Sequence, residues 1–126
     1  MDEQLTLGGL IAKLEAIKDK EKHVWFDFED AFPTRLESWR GIYEYLALGF
    51  SFPYQDKQEE PTVTVLLQRL KGAVGSTFEG YKGGTYRMSE KTPVWVANHG
   101  NVGNTALSGV LDGEAGVILE TRYKEL

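Results

Sequence analysis

The 126-residue chain contains no cysteine, and that absence removes disulfides, thiolate metal ligands and cysteine nucleophiles together. No apolar run approaches the ~20 residues that a membrane span requires. Met1-Asp2-Glu3-Gln4 is acidic and leads directly into a helical pattern, so the basic-then-apolar layout of a signal peptide is missing. Together these absences predict a cytoplasmic protein with no membrane partner. Positive charge is also scarce: the formal net charge is −5, which argues against long DNA or RNA, whose phosphates demand a basic face. A small anion is still compatible with an acidic chain, because salt screens beyond about 8–10 Å and a local cation cluster then dominates. Histidine is limited to His23 and His99, neither at zinc-site spacing, and there is no Gly-Lys-Ser/Thr phosphate loop and no serine nucleophile elbow. No metal and no cofactor is therefore expected.

The residues that are present describe an ordinary globular domain. With 41% hydrophobic and 26% charged residues, positions 1–126 read as a single domain with a core of its own. Thr6 precedes Leu7, Leu10, Ile11, Leu14 and Ile17, an apolar stripe at helical spacing behind a capping hydroxyl. Thr62 or Thr64 caps a second helix carrying Val63, Leu66, Leu67, Leu70 and Val74, and Gly75 ends it. Residues 24–28 and 43–50 read as strands antiparallel to each other, with residues 29–41 as the loop between them. Residues 94–98 form another strand, and 105–111 with 117–123 form a closing hairpin about Asp112-Gly113-Glu114. The expectation is an α+β fold with two amphipathic helices packed on a mainly antiparallel sheet. Both helices share one Thr-led pattern, and a Val-Trp strand follows each (Val24-Trp25, Val94-Trp95), which fits two αββ pseudo-repeats. Capped amphipathic helices all share that stripe, so coincidence stays open as well.

Two loops carry the residues suited to binding. In the stretch from Thr77 to Met88, Tyr81 and Tyr86 offer ring faces for stacking, Lys82 and Arg87 offer charge for a phosphate or carboxylate, and Gly80, Gly83 and Gly84 let backbone come close. The same residues also make a plain hairpin with a glycine turn. In Ser38-Trp39-Arg40-Gly41, with Arg35 upstream, Trp39 can stack and Arg40 can make forked hydrogen bonds; alternatively Trp39 anchors the loop to the core. Asn98 is placed to read a base edge or a ribose hydroxyl. Asp27, Glu29 and Asp30 gather carboxylates at a strand end, a set that binds Mg²⁺, serves as an acid–base pair or is simply solvated. His99 is either a lone acid–base group or a surface histidine.

Three segments, Ser38-Trp39-Arg40-Gly41, Thr77-Phe78-Glu79-Gly80-Tyr81-Lys82-Gly83-Gly84 and Thr92-Pro93-Val94-Trp95-Val96-Ala97-Asn98, resemble those of a group of small bacteriophage and prophage accessory proteins. The resemblance covers most of the chain and brings no catalytic motif. It implies a counter-defence role in the host cytoplasm, in the manner of sponges that hold cyclic-nucleotide or cyclic ADP-ribose-like signals without cleaving them. It also implies a homo-oligomer, since sponges commonly bind at subunit interfaces. The expected site comprises Arg35, Trp39, Arg40, Tyr81, Lys82, Gly83, Gly84, Tyr86, Arg87 and Asn98. Two alternatives stand beside it: a protein–protein inhibitor anchored by Trp39, Tyr81 and Tyr86, and a small nucleotide hydrolase or lyase using Asp27, Asp30 or His99.

Overall fold

The computed structural model describes residues 4–54, 59–97 and 104–125, so Asn98 and His99 lie outside the described residues. Along the chain run α1 (Leu7–Glu15), β1 (Val24–Phe26), β2 (Phe32–Ser38), β3 (Leu46–Ser51), α2 (Val63–Ala73), β4 (Thr77–Glu79), β5 (Thr85–Arg87), β6 (Val94–Val96), β7 (Thr105–Asp112) and β8 (Val117–Tyr123). This is an α+β fold. Six strands make one sheet in the order β1-β8-β7-β6-β3-β2, and β4 with β5 make a separate hairpin.

Both helices begin as their threonines dictate. The Thr6 hydroxyl accepts from the Gly9 N–H at 3.1 Å, and the Thr62 hydroxyl accepts from the Val65 N–H at 3.2 Å, each satisfying a donor left free in the first turn. Leu7, Leu10 and Leu14 of α1 and Val63, Leu66, Leu67, Leu70 and Ala73 of α2 are buried. They pack in one cluster with Leu46, Leu48, Val94, Val96, Leu107, Val117 and Leu119 from the sheet. Gly8, a poor helix former, is explained by a close approach: its N–H donates to the Glu90 carbonyl at 2.8 Å, and a Cβ there would fall 3.0 Å from that oxygen. At Leu5 the chain runs between two strands, its N–H donating to the Leu107 carbonyl and its carbonyl accepting from Val94. The direct β6–β7 pairing is correspondingly short, at Trp95 opposite Ala106.

The expected neighbours of β1 are corrected by the structure. Strand β1 lies at one edge, parallel to β8 with Val24 opposite Val117, whereas β3 lies between β6 and β2. The reason is that residues 29–41 are not simply a loop. Glu29 and Asp30 adopt left-handed backbone angles (φ 48° and 57°) and turn the chain, after which β2 pairs antiparallel with β3. Pro33 is accommodated in β2 because this is an edge strand and a missing N–H can face outward there. β3 and β6 are parallel, so the chain between them must cross over; α2 and the β4–β5 hairpin lie in that connection. Opposite the helices, Ala47, Ala97 and Ala106 leave space on the sheet that Trp39 and Trp95 fill.

Candidate functional site

The binding-type residues gather where the β2–β3 connection meets the β4–β5 hairpin. The connection is fixed by its own backbone: the Trp39 N–H donates to the Tyr45 carbonyl at 2.8 Å, and the Ser38 hydroxyl donates to the Tyr43 carbonyl at 2.6 Å. The hairpin closes through Gly80 N–H to Gly84 O at 2.9 Å and Gly83 N–H to Gly80 O at 3.0 Å. Gly80 is the docking point. A Cβ there would stand 2.8 Å from Tyr43 Cδ2 and 2.9 Å from Tyr86 Cε2, so only glycine lets the hairpin settle against these two rings.

Docking brings Arg40 over Tyr81, its guanidinium carbon 3.7 Å from the ring centroid. Tyr81 is 62% exposed, so this pair is a flat, wet cation–aromatic stack, worth about 0.5–1 kcal/mol. Tyr43 and Tyr86 meet edge to face at 5.8 Å. Tyr86 and Glu44 stand between two adjoining recesses. One, about 550 Å³, is lined by Arg40, Ile42 and Tyr43 beyond that ridge. The other, about 430 Å³, carries Arg87 and Lys91. Among the described residues Arg40, Lys82 and Arg87 form no ion pair, so their charge is uncommitted. Chemically, this face presents aromatic surface with Arg40 in one recess, Arg87 and Lys91 in the other, and at both the Glu44 carboxylate, able to accept from an amine.

Other expected members are placed differently. Trp39 is 1% exposed, and its ring stacks on Trp95 with centroids 3.9 Å apart, so the stacking platform expected from sequence is a core element here. A Cβ at Gly41 would reach within 2.4 Å of the same ring, so the loop backbone covers it closely. Arg35 lies along β2, its stem over Gly49 and its Nε 3.9 Å from Glu37; it shares with Arg40 a separate recess of about 120 Å³. Gly83 and Gly84 hold φ of 104° and 82°, a requirement of the turn itself. Asp27 is committed, its carboxylate accepting from the Thr121 N–H at 2.8 Å and from the Thr121 hydroxyl at 2.6 Å. Among the described residues no cluster of His, Asp and Glu that would hold a metal forms, the Asp27, Glu29 and Asp30 set included.

Tyr43 and Glu44 are the residues that sequence reading missed. They sat inside an expected strand, and the signal that would have freed them is Gly41, which marks where the turn continues. The chain matches no protein-family model, no curated protein and no solved structure. The functional reading therefore stands on the geometry.

Proposed function

We propose that this chain is a binding protein that sequesters a small nucleotide-like ligand, a cyclic nucleotide or a cyclic ADP-ribose-like signal, without converting it. The observation that carries this reading is the Arg40–Tyr81 stack, which joins two loops distant in sequence into one face with uncommitted cations and a central tyrosine wall. A nucleotide offers the complement: planar bases for Tyr81 and Tyr86, phosphates for Arg40, Lys82 and Arg87, and an exocyclic amine for Glu44. Phage counter-defence in a host cytoplasm is the setting proposed for it, with a homo-oligomer as the working form. The two-halved αββ architecture belongs to the same proposal, supported by the matching caps at Thr6 and Thr62.

Thermal unfolding against a panel of linear and cyclic nucleotides tests this reading, with the ligand recovered afterwards and checked by chromatography. A ligand at one hundred times its dissociation constant adds about 2.7 kcal/mol to stability, a readily measured shift for a domain of this size. Recovery of a converted ligand would move the case to the hydrolase or lyase; no shift with any nucleotide would contradict the proposal. A protein–protein inhibitor is the second reading, favoured by the exposure of Tyr81 beside Arg40, two residue types that dominate protein interfaces.

A further inference from the structure

The carboxyl ends of β1, β3, β6 and β8 and the start of β7 enclose a recess of about 470 Å³ that the nucleotide reading does not use. Its position follows from the topology. Because β1 runs parallel to β8 and β3 runs parallel to β6, these strands deliver their last residues to one place. The sheet also curls there. Phe28, just after edge strand β1, meets Phe50 of β3 edge to face at 5.3 Å, although three strands separate β1 from β3 in the sheet order. Ligand sites commonly form outside the carboxyl ends of strands and in the mouths of curled sheets, where backbone groups end and side chains diverge.

The walls are aromatic. Ring follows ring from the core outward: Phe26 to Phe28 at 5.1 Å, Phe28 to Phe50 at 5.3 Å, Phe50 to Phe52 at 5.5 Å, and Phe52 to Tyr54 at 5.4 Å. Tyr123, 68% exposed, stands at the recess as an open side wall. The turn that presents Phe28 is strained, since Glu29 and Asp30 both adopt left-handed angles without being glycine, and it is held by Ala31 N–H to Phe28 O at 3.0 Å. Among the described residues the charges at the recess are of opposite sign, Glu29 and Arg122. Thr105 also lines it, and its hydroxyl, which forms no hydrogen bond among the described residues, is available as a polar anchor.

We infer that this recess is a second ligand site, distinct from the Arg40–Tyr81 face, and that it takes an uncharged planar aromatic molecule with one hydrogen-bonding substituent. A continuous wall of packed rings favours a planar ring over a flexible chain, and the described lining residues offer no cation cluster of the kind that suits the other face to di-anionic ligands.

The test is fluorescence titration of the whole chain with N-phenyl-1-naphthylamine, a neutral multi-ring amine, reading both the dye and energy transfer from tryptophan, since Trp95 adjoins the lining residue Val96. The expected result is saturable one-to-one binding that Tyr123→Ala and Thr105→Trp each weaken at least tenfold, while Arg40→Ala leaves it unchanged. Tyr123 is exposed, so its variant is expected to keep the wild-type unfolding curve and stands alone as a test where Thr105→Trp fails to fold. Non-saturable binding, or equal affinity in wild type and Tyr123→Ala, would overturn the inference.

Discussion

The indole rings of Trp39 and Trp95 lie parallel within 5°, their centroids 3.9 Å apart, and both are 1% exposed. Neither indole N–H has a hydrogen-bond partner among the described residues. The pair joins the β2–β3 connection to the centre of the sheet, and so fixes the backbone from which Arg40 projects. Truncating Trp39 to alanine removes a buried aromatic and should lower stability by about 3–5 kcal/mol. Trp39→Phe should be far milder, because no hydrogen bond is lost and a buried donor without a partner disappears. Urea unfolding of both variants measures the difference; equal losses would mean the indole N–H is satisfied after all.

Gly116 touches Trp25 so closely that an added Cβ would lie 2.1 Å from the ring. Trp25 is itself held by its indole N–H donating to the Glu60 carboxylate, so it has little freedom to withdraw. Gly116→Ala should therefore destabilise the chain by about 1–3 kcal/mol through overpacking. The same change at Gly72, where an added Cβ meets nothing within 4 Å, should stabilise by a few tenths to 1 kcal/mol through helix propensity. Melting temperatures moving in opposite directions are the expected outcome.

Asp27 ties the end of β1 to β8 through Thr121. Asp27→Asn keeps an acceptor oxygen for the Thr121 N–H and turns its amide N–H₂ toward the Thr121 hydroxyl, which can rotate to accept, so at this exposed position it should lower stability by no more than about 1 kcal/mol. Nucleotide affinity should stay within twofold of wild type, because the residue belongs to the sheet and not to the Arg40–Tyr81 face. A variant of unchanged stability that has lost nucleotide turnover would instead place Asp27 in a catalytic role.

Lys82 and Arg87 are exposed and in no ion pair among the described residues. Binding of a phosphate-bearing ligand should therefore weaken as salt rises from 50 to 500 mM, by several-fold, as exposed charges are screened. Lys82→Ala and Arg87→Ala should each flatten that dependence. Titrations at three salt concentrations give the slopes.

The helices were legible in the sequence because their signals are local. A capping threonine and a stripe at 3.6-residue spacing fix α1 and α2 regardless of what they pack on. The closing hairpin was legible for the same reason. What escaped was long-range: β1 pairing with β8, and β2 forming inside an apparent loop, depend on partners distant in sequence and on an edge position that excuses Pro33. At the candidate site, residue type pointed to Arg40, Tyr81 and Tyr86, which the fold brings together with Tyr43. It misjudged Trp39, because a tryptophan beside an arginine carries no mark of which faces the core. That was settled by the alanines of β3 and β7 and by Ala97, which make room for a ring on the sheet.

The most direct test of a nucleotide-binding face is calorimetric titration of wild type, Arg40→Ala and Tyr81→Ala with the nucleotide that shifts unfolding most. Each variant should bind at least tenfold more weakly while its melting temperature stays within about 4 °C of wild type, since an exposed cation–aromatic pair contributes only about 0.5–1 kcal/mol to the fold. Wild-type affinity in both variants would contradict the account.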